Sequence, residues 1–180
     1  VVRASNSILQ NVSMIRQVAF PKVIFPLISV ATCLLEYAFS LALLFVVLIF
    51  YGHHPSLSWV VFPVLLAVQV GLVLAFALPL AAAVPFVPDM YKLVTQVLRI
   101  MFYMSGVFFD IHRLSPKLQF VLGFNPMVHV IGAVRAVLMR GEWPSWPVMA
   151  AVCGVSALAA LFGALVIRRL DPLFAKRIAR

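Results

Sequence analysis

Few residues in this sequence have types and spacing that could do chemistry. No Ser, His and Asp set shares a face of a predicted helix, and the Gly-x-x-x-x-Gly-Lys-Ser/Thr loop that cradles the phosphates of ATP does not occur. Cys33 and Cys153 lie inside separate apolar segments, where they behave as small apolar residues. The acidic residues at segment ends are scattered singly: Asp89, Asp110, Glu142 and Asp171. The chain is therefore predicted not to be an enzyme, with no catalytic residues, no metal site and no cofactor of its own.

Polar residues inside apolar segments are more informative. Gln96 and Arg99 are one helical turn apart, and Phe102 and Tyr103 continue the same side of the helix. Such a stripe suits a passage for a hydrated sugar chain, because sugar rings stack on aromatic faces and an Arg pairs with anionic groups. Glu36 stands near the middle of another apolar run, where a charge costs about 3 kcal/mol. It should face protein or water, opposite a basic or hydroxyl partner from another helix, or be protonated. An Arg99–Glu36 pair and a structural hydrogen bond between helices are open alternatives.

A short basic helix is predicted in the stretch NPMVHVIGAVRAVLMRG. Asn125 is a suitable N-cap, Pro126 suits the first helical position, and a Gly follows the last turn. His129, Arg135 and Arg140 share its polar side, where they could contact an acidic or lipid-linked glycan or lipid headgroups. At about 22 Å the helix is too short to cross a bilayer. With a second short helix at 115–124 it could form a re-entrant pair that lines a cavity, or lie flat at the interface.

The elements that position these residues are transmembrane helices. Hydrophobic residues make up 64% of the 180-residue chain and charged residues 11%. About 20 apolar residues are needed to cross a bilayer as a helix. Four segments meet this need, at 24–51, 59–83, 90–109 and 146–167. The sequence therefore predicts an all-α membrane protein with a single integral domain over residues 1–180.

Basic residues predict the orientation of these spans. The net charge of +9 lies at the flanks of the apolar runs, which does not indicate nucleic-acid binding. The first 23 residues and the tail at 168–180 are rich in Lys and Arg, so the positive-inside tendency places both in the cytoplasm. Residues 110–145 then lie on the outer side, although they carry several basic residues of their own.

The same stretches resemble a known family. NPMVHVIGAVRAVLMRG, preceded by SGVFFDIHRLSPKLQFVLGF, resembles the periplasmic end of the permeases that export capsule, O-antigen and teichoic acid through ATP-binding-cassette (ABC) transporters. SMIRQVAFPKVIFPL, residues 13–27, resembles the cytoplasmic stretch of that family. The match covers essentially the whole chain in order. Family members have six spans and this chain has the last four, without an initial Met, so we expect its N-terminal part to be missing.

The resemblance implies partners and roles. It implies a homodimer with a separate nucleotide-binding ATPase subunit, which would bind ATP and Mg²⁺. A short cytoplasmic amphipathic helix would couple to that ATPase, unless it is only a helix lying on the membrane surface. The implied coupling residues are Met14, Ile15, Arg16, Val18, Phe20 and Pro21. The outer pair of short helices would form a periplasmic gate, with Asn125, Pro126, His129, Arg135 and Arg140.

The expected function is therefore a permease subunit of an ATP-driven exporter. It would move a capsular or O-antigen type of polysaccharide, linked to lipid, across the bacterial inner membrane, in contact with membrane lipids. One alternative is a permease of the same superfamily that moves small amphiphiles or drugs. The other is a membrane enzyme or scaffold that has no transport path.

Overall fold

The computed structural model describes residues 1–7, 23–53, 55–87, 89–109, 111 and 114–178, with side chains as far as residue 170. The predicted coupling residues, from Met14 to Pro21, lie outside the described residues.

Helices make up nearly all of the regular structure. In chain order they are α1 (Val2–Ser5), α2 (Ile24–Phe50), a 3-10 turn (Leu57–Val61) that leads into α3 (Phe62–Ala83), α4 (Met90–Tyr103), α5 (Pro116–Gly123), α6 (Pro126–Arg135) with a π-helical turn (Ala136–Arg140), and α7 (Trp146–Ile178). The described part of the chain has no strand.

Three of these segments are long and apolar enough to cross a membrane: Ile24–Phe50, Leu57–Ala83 and Trp146–Leu170. The pair α5 and α6, bent by 104°, would make a fourth if it counts as one broken span. The predicted all-α membrane fold is confirmed.

The centre of the bundle is α3, which is apolar on all sides and packs along α7. At one end of this pair Leu78 and Ala81 cluster with Ile167. At the other end Leu48 of α2, Phe62 and Met149 share a second cluster. We call this second end, where α2 ends and α3 and α7 begin, the outer end, after the predicted orientation.

The third predicted span is shorter than the apolar segment at 90–109. The helix α4 has 14 residues and ends at Tyr103, so it rises about 21 Å, less than the roughly 30 Å of a hydrocarbon core. The reason is Gly106, whose φ of +75° belongs to the left-handed region and cannot continue a helix. A Cβ on Gly106 would lie 2.7 Å from Ile111 Cδ1, so the turn is closely packed.

Both ends of the chain also differ in detail from the predicted boundaries. The last helix does not stop at residue 167 but continues to Ile178. The first residues, assigned to the cytoplasmic stretch, pack beside the spans, because Ala4 shares a cluster with Val30 of α2 and Ala77 of α3. Small side chains make this possible, and Ser5 is fully buried there. The short helix α1 contacts α2, α3 and α4.

Candidate functional site

The outer helix pair is folded back against the bundle. Val130 of α6 packs with Val68 and Leu72 of α3, and Val137 in the following π turn packs near Phe62 at the outer end. Leu72 lies about 15 Å along α3 from Phe62. The start of α6 therefore reaches about half the depth of the spans, and its end returns to the outer end. This placement favours the re-entrant alternative over a helix lying flat on the surface.

The predicted cap of α6 is confirmed and has a second contact. The Asn125 side chain accepts a hydrogen bond from the backbone N–H of Met127 at 3.1 Å, with Pro126 in the first turn. Its amide Nδ2 also donates to the carbonyl of Met101 in the last turn of α4, at 3.1 Å. That carbonyl has no partner within its own helix, because the last four carbonyls of any helix lack one. Asn125 therefore joins the deep start of α6 to the end of α4.

Of the other predicted gate residues, Arg135 and His129 form hydrogen bonds to neighbouring segments, and within the described chain Arg140 does not. Arg135 Nη2 donates to the carbonyl of Val107 at 2.7 Å, a second tie between α6 and the segment after α4. His129 Nε2 hydrogen-bonds the carbonyl of Gly123 at 2.9 Å, which joins α6 to α5. Arg140 is more exposed, and its Nε lies 3.3 Å from a Glu142 carboxylate oxygen just after the helix.

These side chains line a cavity of about 630 Å³ between α5, α6 and the start of α7, which we call the outer cavity. Its charged and titratable lining residues are His129, Arg135, Arg140 and Glu142. Trp143 and Ser145 add an indole ring and a hydroxyl to the lining. With two Arg side chains and one carboxylate, the lining has an excess of positive charge even when His129 is neutral.

The predicted polar and aromatic stripe lies on one uncovered side of α4. Gln96, Arg99, Phe102 and Tyr103 are all exposed, whereas Val94 is buried. The rings of Phe102 and Tyr103 are 5.7 Å apart, and both contact Phe108 beyond the helix end. Nothing else in the described chain covers these four residues, so the structure brings them together but places no groups opposite them.

Glu36 has a basic partner, but not the one considered in the sequence. Arg3 Nη1 donates to both carboxylate oxygens, at 2.7 and 2.9 Å. The alternative of an Arg99–Glu36 pair is therefore wrong. The two side chains remain 67% and 57% exposed in the described chain. Charges at membrane depth are not stable against lipid, so this side must meet other protein or water.

The family follows from comparison with known proteins. A family model described as "ABC-2 type transporter" matches residues 3–139. The chain belongs to the ABC-2 type transporter family. The resemblance seen in residues 13–27 and 105–141 is thus confirmed.

Relatives of this ABC-2 chain are known by name. It is 26% identical over 156 residues to the O-antigen export system permease protein RfbA of Myxococcus xanthus. The aligned region covers 86% of this chain and 60% of the relative. Two proteins of the same name from Klebsiella pneumoniae are 26% and 24% identical over 136 residues each, or 75% of this chain and 52% of theirs. The chain thus spans a little over half the length of these relatives.

One buried contact in the ABC-2 chain was not predicted from the sequence. Ser58, which is 2% exposed, donates to the carbonyl of Val137 at 3.0 Å and lies 2.6 Å from the hydroxyl of Ser56. Val137 is one of the last four residues of the π turn, whose carbonyls lack partners within the helix. The two serines lie in the turn between the predicted spans at 24–51 and 59–83. A hydroxyl at the first turn of a span was the only available signal.

Within the described residues, no group of three or more His, Cys, Asp or Glu side chains is placed to hold a metal ion.

Proposed function

We propose that this chain is the membrane-spanning part of a permease that exports a polysaccharide of the O-antigen or capsular type, linked to lipid, across the bacterial inner membrane. The observation that carries the proposal is the set of polar groups left uncovered at membrane depth, Arg3, Glu36, Gln96 and Arg99, in a chain of the ABC-2 family. The names of the relatives support a polysaccharide as the substrate.

The physical argument concerns what can cover these groups. Each charge exposed to lipid near the middle of a bilayer costs about 3 kcal/mol on insertion scales. A second copy of the permease or a water-filled path would remove that cost. A path lined by Gln96, Arg99, Phe102 and Tyr103 offers rings for sugar stacking and donors for hydroxyl or anionic groups. A homodimer around such a path accounts for both the charges and the aromatic rings.

The driving force would come from a partner ATPase that binds ATP and Mg²⁺. Residues 13–21, with Met14, Ile15, Arg16, Val18, Phe20 and Pro21, would receive its movement at the cytoplasmic side. The spans would transmit this movement to the outer helix pair. Asn125, Pro126, His129, Arg135 and Arg140 would then act as the periplasmic gate.

Deletion and restoration of the gene in the native bacterium test this function. We expect the deletion to remove surface polysaccharide and to accumulate glycan inside the cell, because synthesis continues without export. The full-length protein should restore export, Arg99→Lys should keep most of it, and Arg99→Glu should lose it. Unchanged surface polysaccharide in the deletion, together with loss of efflux of small amphiphiles, would support the rival substrate class.

Cysteine labelling tests the orientation independently of the substrate. In a full-length protein with Cys33 and Cys153 replaced by Ala, Ser115→Cys and Ser145→Cys should react with a membrane-impermeant reagent added from the periplasmic side. Reaction only from the cytoplasmic side would overturn the proposed gate and the placement of both ends of the chain in the cytoplasm.

A further inference from the structure

A second cavity of about 240 Å³ lies on another side of α6, between that helix and α2 and α3. Most of its lining is apolar, with Leu44 and Leu48 from α2 and Val130 and Val134 from α6 among the lining residues. The polar groups in its wall are Tyr37, Gln69 and Arg135. We call it the apolar cavity.

The two cavities share one row of residues. Ile131, Arg135 and Met139 line both of them. These residues are four apart and therefore form a single ridge along the helix. Arg135 thus stands at the boundary between a positively charged cavity and a second cavity whose lining is more apolar. A ligand that contacts both cavities needs an anionic end and an apolar end.

We propose that the two cavities together bind one anionic phospholipid, with the headgroup in the outer cavity and an acyl chain in the apolar cavity. Arg135 is prepared for this role because its bond to the Val107 carbonyl fixes the guanidinium, whereas the guanidinium has five N–H donors in all. Arg140 adds positive charge, Glu142 offsets part of it, and His129 adds a ring nitrogen that can hydrogen-bond.

The surroundings match the depth of a headgroup. The outer cavity is lined by Trp143 and Ser145, just before α7, and Trp side chains are typical of the membrane interface. The lining of the apolar cavity runs from Leu48, near the outer end of α2, to Tyr37 and Gln69, nearer the middle of α2 and α3. Basic pockets between transmembrane helices bind anionic lipid headgroups at the edge of the bilayer. The inference concerns a lipid site and does not rest on the transported substrate.

Native mass spectrometry of the full-length protein tests the site. Delipidated protein would be incubated in detergent with an equal mixture of phosphatidylglycerol and phosphatidylcholine, and the lipids retained would be counted. We expect phosphatidylglycerol to be retained in preference. Arg135→Gln should lower its retention about fivefold, because one basic residue near anionic lipid contributes about 1 kcal/mol. The control variant Lys117→Gln removes an exposed charge from α5 outside both cavities, and it should retain phosphatidylglycerol as the wild type does.

The acyl-chain half has its own matched pair of variants. Leu44→Trp fills the apolar cavity and should reduce retention, whereas Leu43→Trp, on the neighbouring position that faces away, should not. Both positions are exposed, so both variants should fold. Arg140→Gln gives a second headgroup variant if Arg135→Gln does not fold.

Four results would overturn the proposal. Equal retention in Leu44→Trp and Leu43→Trp would leave only an anion site, as would displacement of the lipid by inorganic phosphate. Equal retention in Arg135→Gln, Arg140→Gln and Lys117→Gln would exclude the headgroup contact. The assigned occupant would be wrong if protein from native membranes carried one lipid-linked glycan per site in place of a phospholipid. Because no ATPase or transport is involved, a failure of the export proposal would leave these results unchanged.

Discussion

Gly163→Ala should destabilise the protein through the closest contact between α3 and α7. A Cβ at residue 163 would lie 2.5 Å from Pro79 Cδ, 2.6 Å from Pro79 N and 2.8 Å from Leu78 Cβ. Carbon atoms in ordinary contact are about 3.5–4.0 Å apart, so the helices would have to separate by about 1 Å. Pro79 and its backbone are rigid and cannot turn aside as a flexible side chain can. The glycine is thus what allows the proline ring to pack against the opposite helix.

The magnitude follows from two opposing effects. Overpacking of a buried site costs about 1–3 kcal/mol. The better helix propensity of Ala returns at most about 1 kcal/mol. Because all three contacts are far inside ordinary contact distance and two of them are with Pro79, the cost should lie at the upper end, so the net loss should be about 1–2 kcal/mol. Gly154→Ala on the same helix is the matched control, because a Cβ there meets nothing within 4 Å. It should be neutral or slightly stabilising.

Thermal unfolding of the purified full-length protein in detergent measures the difference. For a chain of this size 1 kcal/mol corresponds to about 2–4 °C in Tm, so Gly163→Ala should melt several degrees below wild type and Gly154→Ala should not. Equal melting temperatures for Gly163→Ala and wild type would refute the packing of α3 against α7 at Pro79.

Three further predictions concern single polar contacts. Ser58→Ala should lower the free energy of unfolding by about 0.6–1.7 kcal/mol, because the carbonyl of Val137 loses its donor. Denaturant titration in detergent measures this loss, and an unchanged midpoint would contradict it. Asn125→Asp should keep the helix cap but lose the amide donation to α4, so hydrogen exchange of the last turn of α4 should rise while that of the first turn of α6 stays slow. Arg3→Gln should reduce the amount of folded protein in the membrane more than the double variant Arg3→Gln with Glu36→Gln, because the single change leaves a charge without its partner.

Local rules were sufficient where a feature depends on neighbouring residues. The apolar runs predicted the three long spans, and Asn125-Pro126 predicted the start of α6. The Gly at the end of that helix, Gly141, has a φ of +69°, as a left-handed helix stop requires. The third span was overestimated because Val107 and the two Phe residues after it read as apolar continuation, whereas Gly106 turns the chain.

Contacts between distant residues could not be predicted from one sequence. Arg3 and Glu36 are 33 positions apart, and Ser58 and Val137 are 79 positions apart. Each bond depends on how the helices pack, which hydropathy and cap signals do not specify. The stripe on α4 was visible from its spacing, yet the groups that face it are not supplied by the described part of this chain.

Because α4 is short, the wall of the protein on its side consists of two separate pieces. Below Tyr103 the wall is a continuous helix, and above it the wall is formed by the bent pair α5 and α6. Among the described residues, a side-chain bond from Asn125 joins this upper part to the end of α4, and a second one, from Arg135, joins it to the segment just after α4. If each contributes about 1 kcal/mol, joined and parted forms differ by a population ratio of only roughly 30. Thermal motion alone would then part the two pieces in a few per cent of molecules, without unwinding or tilting any of the long helices.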